Sequence, residues 1–154
     1  MRSFDQWMDE YALSHQNPTN VLIHKICVPL IMLSVIGLLW CIPSLGIFSR
    51  LPGLNWATLF VSGALCFYFL LNRLMFVGMM IQSVLMLTLT SWMASQGVLL
   101  QVSIIIFVVS WIFQFWGHKI EGKKPSFADD IAFLLIGPLW VQRALFKRIG
   151  FKNI

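Results

Sequence analysis

The sequence predicts an all-α, polytopic membrane helix bundle that forms a single membrane-embedded domain over residues 1–154. Three observations predict it. Hydrophobic residues make up 58% of the 154 and charged residues only 11%, whereas about a quarter of a soluble domain is charged. Apolar runs of about 20 residues recur, the length a helix needs to cross the hydrocarbon core. Short polar or Gly/Pro-containing segments separate them.

The elements follow in order. Ser3, with Gln6 three residues on, forms a capping-box arrangement for a short helix over 3–16. Phe4, Trp7, Met8 and Tyr11 give that helix an apolar stripe, which suits the membrane interface. Asn17-Pro18 is expected to end it. The first span covers 21–42 and contains His24, Lys25 and Pro29. The loop 43–55 is broken by Gly46, Pro52 and Gly53. The second span covers 56–71, the third 74–93 and the fourth 98–116, with turns at Asn72-Arg73 and 94–97.

Residues 117–126 are polar and basic. Asp129 and Asp130 favour a helix start there. Residues 131–141 are apolar for only eleven positions and contain Gly137 and Pro138. That stretch is too short to cross and reads as a re-entrant or interfacial helix. The prediction is therefore about four transmembrane helices, an N-terminal amphipathic helix and a C-terminal re-entrant or interfacial one.

Charge sets the expected orientation. The net charge is +5, but the basic residues sit beside apolar runs, where topology and lipid headgroups account for them and nucleic acid does not. Arg2, Lys25, Arg73, Lys119, Lys123, Lys124, Arg143, Lys147, Arg148 and Lys152 fall on one side, and only Arg50 on the other. Both termini are therefore expected to face the cytoplasm, in a bacterial inner membrane or an endoplasmic reticulum. The polar first 20 residues are no cleavable signal peptide. Cys27, Cys41 and Cys66 all lie in apolar stretches without a C-x-x-C pair and read as buried small hydrophobes.

This orientation puts all three histidines, His15, His24 and His118, on the cytoplasmic face at a similar depth. Imidazole is a common metal ligand, and three are enough to hold an ion with open positions. Each histidine also has a polar residue four positions earlier, Tyr11, Asn20 and Gln114 respectively, able to orient its ring or meet a substrate. Glu121, three residues after His118, suits a further ligand, an orienting carboxylate or a proton acceptor. Interface histidines, caps and lipid-contacting lysines explain the same residues without chemistry. A non-catalytic membrane scaffold and haem ligation by two histidines both stay open at this point. No charged residue lies mid-span, which counts against a pump or proton relay.

Two segments carry a resemblance. Y-A-L-S-H-Q-N-P-T-N-V-L-I-H-K-I-C-V-P-L (11–30) and W-I-F-Q-F-W-G-H-K-I-E-G-K-K-P (111–125) resemble the N- and C-terminal signatures of the membrane 2-hydroxy fatty acid dioxygenase family. The resemblance spans nearly the whole chain, although the middle spans match only in being apolar. It implies iron(II)-dependent α-oxidation, in which a 2-hydroxy fatty acid reacts with dioxygen and loses its carboxyl carbon. In fungi this serves breakdown of a sphingoid base at the endoplasmic reticulum. It further implies His15, His24 and His118 as Fe(2+) ligands. Glu121, Asn20 and Gln114 match the accompanying polar positions and are the candidate catalytic residues, with Lys25, Lys123, Lys124 and Tyr11 the candidates for substrate binding. The chain departs at Ala144, where many members carry glutamate, so any role of that acid has no counterpart here.

Overall fold

Helix ends in the computed structural model are set by side chains and glycines that meet otherwise unpaired backbone groups. The structure describes residues 2–43, 46, 51, 53–128 and 130–151. Arg50, Pro52, Asp129 and Lys152, invoked above, lie outside them.

Helix α1 is Phe4–Ala12, with the expected capping box between Ser3 and Gln6. It is shorter than the predicted 3–16. Beyond Ala12 the Ser14 and His15 N–H groups keep only tight bonds to the Tyr11 and Ala12 carbonyls, and side chains from other elements meet other backbone groups. Lys123 Nζ donates to the Leu13 carbonyl, Asn20 Nδ2 to the Ser14 carbonyl, and the Glu121 carboxylate accepts the N–H groups of Gln16 and Asn17. These bonds hold the connection to the next helix.

Helix α2, Pro18–Trp40, starts at the proline expected to end α1. Proline suits a first helical position because its missing N–H is not needed there. The Asn17 side chain accepts from the Thr19 N–H at 2.9 Å, as an N-cap does.

Helix α3 is Trp56–Leu71, capped by Asn55 and Thr58, and α4 is Arg73–Ser95, capped by Asn72. Helix α5, Leu99–Glu121, runs five residues past the predicted end at Trp116 and so carries both His118 and Glu121. Apolar character ends before helical hydrogen bonding does. The bonding stops at Gly122, where φ is +72°. The Lys123 N–H reaches the His118 carbonyl and the Gly122 N–H that of Lys119, which is a Schellman ending. A 3-10 turn, Ser126–Ala128, leads to α6, Phe133–Arg148.

Helices α2, α4 and α5 are 23 residues each and apolar enough to cross a membrane, about 34 Å of helix against a core of about 30 Å. Helix α3, expected as a span, has 16 residues, about 24 Å. Helix α6 is also 16 residues, longer than the predicted 131–141, and ends in basic residues Lys147 and Arg148.

The chain divides into two compact units. The unit Leu30–Val109 buries small polar side chains, among them Ser34, Ser83, Thr90 and Ser103, and exposes large apolar ones such as Leu70, Ile81, Leu85 and Ile105. That inverted pattern suits a protein bathed in lipid, where close helix contact rather than apolar burial drives packing. Gly37 shows the closeness, since a Cβ there would overlap Ser103 Oγ. Of the cysteines expected to be buried, only Cys27 is. Cys41 and Cys66 are exposed, and Cys66 shares an outward face of α3 with Phe69 and Leu70, where a hydrophobic thiol suits an apolar solvent.

The other unit, Met1–Pro29 with Ser110–Ile154, packs α1 on α6. The stripe predicted on α1 is buried. Trp7 meets Phe133 edge-on at 5.0 Å, and Tyr11 meets Phe133 and Trp140 at 6.0 and 5.5 Å. Arg2–Asp130 at 2.7 Å and Arg143–Asp5 at 3.3 Å flank the contact.

Candidate metal centre

Three local structures deliver the histidines to one place in this unit. His15 lies in the connection between α1 and α2, His24 in the second turn of α2, and His118 in the last turn of α5. All are buried, at 4%, 2% and 6% exposure. Ring centroids are 4.2 Å apart for His15 and His24, 5.2 Å for His15 and His118, and 4.8 Å for His24 and His118. One ring nitrogen from each lies within 4.8 Å of the others. Metal–imidazole bonds of about 2.1 Å hold three such nitrogens no more than about 3.6 Å apart. Side-chain movements that close the widest pair by about 1 Å bring the trio into that range.

The ring nitrogens are prepared for this. His15 Nδ1 donates to the Tyr11 carbonyl at 2.6 Å and His24 Nδ1 to the Asn20 carbonyl at 3.0 Å. A carbonyl only accepts, so both Nδ1 atoms carry the hydrogen and both Nε2 atoms present a lone pair. The residues four positions earlier do orient these two rings, but through their backbone oxygens rather than their side chains. His15 Nε2 and His118 Nδ1 are buried without a hydrogen-bond partner. Buried unpaired polar atoms are costly. Burial lowers the His15 pKa to about 4, helped by His118 and opposed by the Tyr11 carbonyl and by Glu121. The imidazole is thus neutral near pH 7, the form that ligates metals.

The surroundings include several predicted residues. The Tyr11 ring stacks on His15 at 4.1 Å. Burial raises the pKa of its hydroxyl, which stays protonated near neutral pH. Asn20 is fully buried, and its Nδ2 donates to Ser14 O and to Glu121 Oε2, both at 3.1 Å. Both oxygens of Glu121 are occupied: Oε1 by the Gln16 N–H, Oε2 by the Asn17 N–H and Asn20. Gln114 is buried one turn before His118. Lys123 is tied to the Leu13 carbonyl at 2.6 Å, whereas Lys25 and Lys124 stand exposed.

Two contributors escaped sequence reasoning. Trp140 of α6 lies 5.4 Å from the His15 ring, and nothing local distinguishes it from other interface tryptophans. Gly117 leaves room for Asn20, because a Cβ there would overlap Asn20 Oδ1. Its position directly before His118 was the available signal.

Comparison with known proteins identifies the family of the chain. The profile of the family described as 2-hydroxy-palmitic acid dioxygenase Mpo1-like matches residues 1–149. The 2-hydroxy-palmitic acid dioxygenase MPO1 of Saccharomyces cerevisiae is 28% identical over 145 residues, covering 92% of this chain and 78% of the yeast protein. No solved structure matches. All three histidines and Glu121 fall inside the matched stretch, and the chain belongs to the Mpo1-like family of 2-hydroxy-palmitic acid dioxygenases.

Proposed function

We propose that this protein is an iron(II)-dependent dioxygenase that converts a 2-hydroxy fatty acid to the fatty acid one carbon shorter. The observation that carries the reading is the convergence of three buried imidazoles within 4.8 Å, in a chain whose yeast relative is named a 2-hydroxy-palmitic acid dioxygenase. A 2-hydroxy acid and one dioxygen give the shortened acid, carbon dioxide and water, and atoms and electrons balance without a co-reductant.

His15, His24 and His118 are the residues that hold the ion. Bound there, nonhaem iron(II) with open positions supplies the dioxygen chemistry that side chains lack. The protein's own work is binding, orientation and exclusion of water. The Tyr11 and Asn20 carbonyls fix two rings, and Tyr11 and Trp140 wall the His15 side. Exposed Lys25 and Lys124 draw the substrate carboxylate toward this end of the chain. The acyl tail stays in hydrocarbon, where each buried methylene contributes about 0.8 kcal/mol. The basic bias supports a cytoplasmic location for this end and for both termini.

Histidine ring centroids 4.2–5.2 Å apart leave no gap for a porphyrin between two of them, which favours nonhaem iron over haem. The test is anaerobic purification, metal analysis with a visible spectrum, and turnover of 2-hydroxypalmitate. Bound nonhaem iron and a product one carbon shorter are expected. An absence of bound metal, or full activity after His118→Ala, overturns the reading.

A further inference from the structure

The bonds around His15 form a clamp. Its two chain neighbours are both held: the Ser14 carbonyl by Asn20 Nδ2 at 3.1 Å, and the Gln16 N–H by Glu121 Oε1 at 2.8 Å. Glu121 also takes the Asn17 N–H at 2.9 Å, and Asn20 and Glu121 bond to each other. Each of these two residues is tied to a different histidine. Asn20 gives its carbonyl to the His24 ring. Glu121 sits three residues after His118 and ends the same helix. Asn20 Oδ1 lies where a side chain at position 117 would be, next to His118.

We propose that Asn20 and Glu121 are positioning residues that fix His15 against His24 and His118, and that Glu121 is not a reacting acid or base. A carboxylate already accepting three hydrogen bonds on its two oxygens has little capacity left for a substrate proton. The same bonds hold the connection between α1 and α2 on both sides of His15, whose ring is buried. The proposal rests on the histidines being a metal site, and its test separates the two ideas.

The full-length protein in detergent, metal-free, is compared as wild type, Glu121→Ala, Glu121→Gln and Asn20→Ala. Hydrogen exchange is followed in peptides covering residues 13–20, and Co(II) binding is followed by its visible absorption. In Glu121→Ala the Gln16 and Asn17 amides are expected to exchange at least tenfold faster, and Co(II) affinity to fall about 10- to 100-fold. Asn20→Ala is expected to move both readouts in the same direction. Glu121→Gln, which keeps an acceptor but sets an NH2 group against a backbone donor, is expected to fall between. Wild-type exchange and wild-type Co(II) affinity in Glu121→Ala and Asn20→Ala overturn the clamp. So does a Glu121→Gln protein that keeps both but loses turnover, since that marks a reacting carboxylate. If Glu121→Ala does not fold, the other two variants decide. A wild type that binds no Co(II) overturns the metal reading, and the exchange data then judge the clamp alone.

Discussion

The Tyr11 ring lies flat on the His15 imidazole, with centroids 4.1 Å apart and planes 9° from parallel. The same residue orients His15 through its carbonyl at 2.6 Å. Ring and carbonyl can be separated by mutation. Tyr11→Phe keeps both and is expected to leave metal affinity within about twofold. Tyr11→Ala keeps only the carbonyl. It is expected to cost about 3–5 kcal/mol of stability as a large buried ring is lost, and about tenfold in metal affinity. Thermal unfolding and Co(II) titration check the pair.

The depressed His15 pKa gives a pH dependence with a definite sign. The folded value is about 4 against the usual 6.5, so between these values the unfolded chain binds a proton that the folded one does not. Stability therefore rises with pH across that window, is complete above about 6.5, and is lost as pH falls toward 4. The contribution is on the order of 3 kcal/mol. Unfolding midpoints of the metal-free protein are expected to fall from pH 7 to pH 4.5, and to fall less in His15→Phe. A pH-independent wild type contradicts this.

Gly117 is a packing requirement. Gly117→Ala drives a methyl group into Asn20 Oδ1, and overpacking of this kind costs about 1–3 kcal/mol. Asn20 moves in response, so Co(II) affinity is expected to fall together with the melting temperature.

Gly122 is a conformational requirement. Its φ of +72° is one that residues with a Cβ adopt at a cost of about 1–2 kcal/mol. Gly122→Ala is expected to lower stability by that amount. Gly122→Asn, which tolerates the left-handed region better, is expected to lose less. Paired unfolding curves measure the difference.

Much of this was legible before the structure. Local signals worked: the Ser3–Gln6 box, the stripe on α1 and the long apolar runs, and the three histidines singled out do converge. What failed was set by distant partners. The connection after α1 is held by Glu121 and Lys123, more than a hundred positions away, and Asn17-Pro18, which reads locally as a stop, begins α2. Hydropathy ended α5 at Trp116, although hydrogen bonds carry it to Glu121. Glu121 stands out by its spacing from His118, but its bonds to Gln16 and Asn17 have no sequence signature. The exposure of Cys41 and Cys66 was missed because apolar surroundings mean burial only when the solvent is water.

The distance along the chain between Gln16 and Glu121, 105 positions, also bears on timing. Helices enter a membrane as the ribosome makes them, and the N-terminal parts come first. His15 and His24 are made long before His118. The histidine cluster is therefore incomplete until the last turn of α5 has been synthesised, and a nascent or truncated chain presents a pair of imidazoles instead of a trio. Closure of the three-imidazole cluster is then a late event in the life of the polypeptide, one that follows synthesis of the earlier helices.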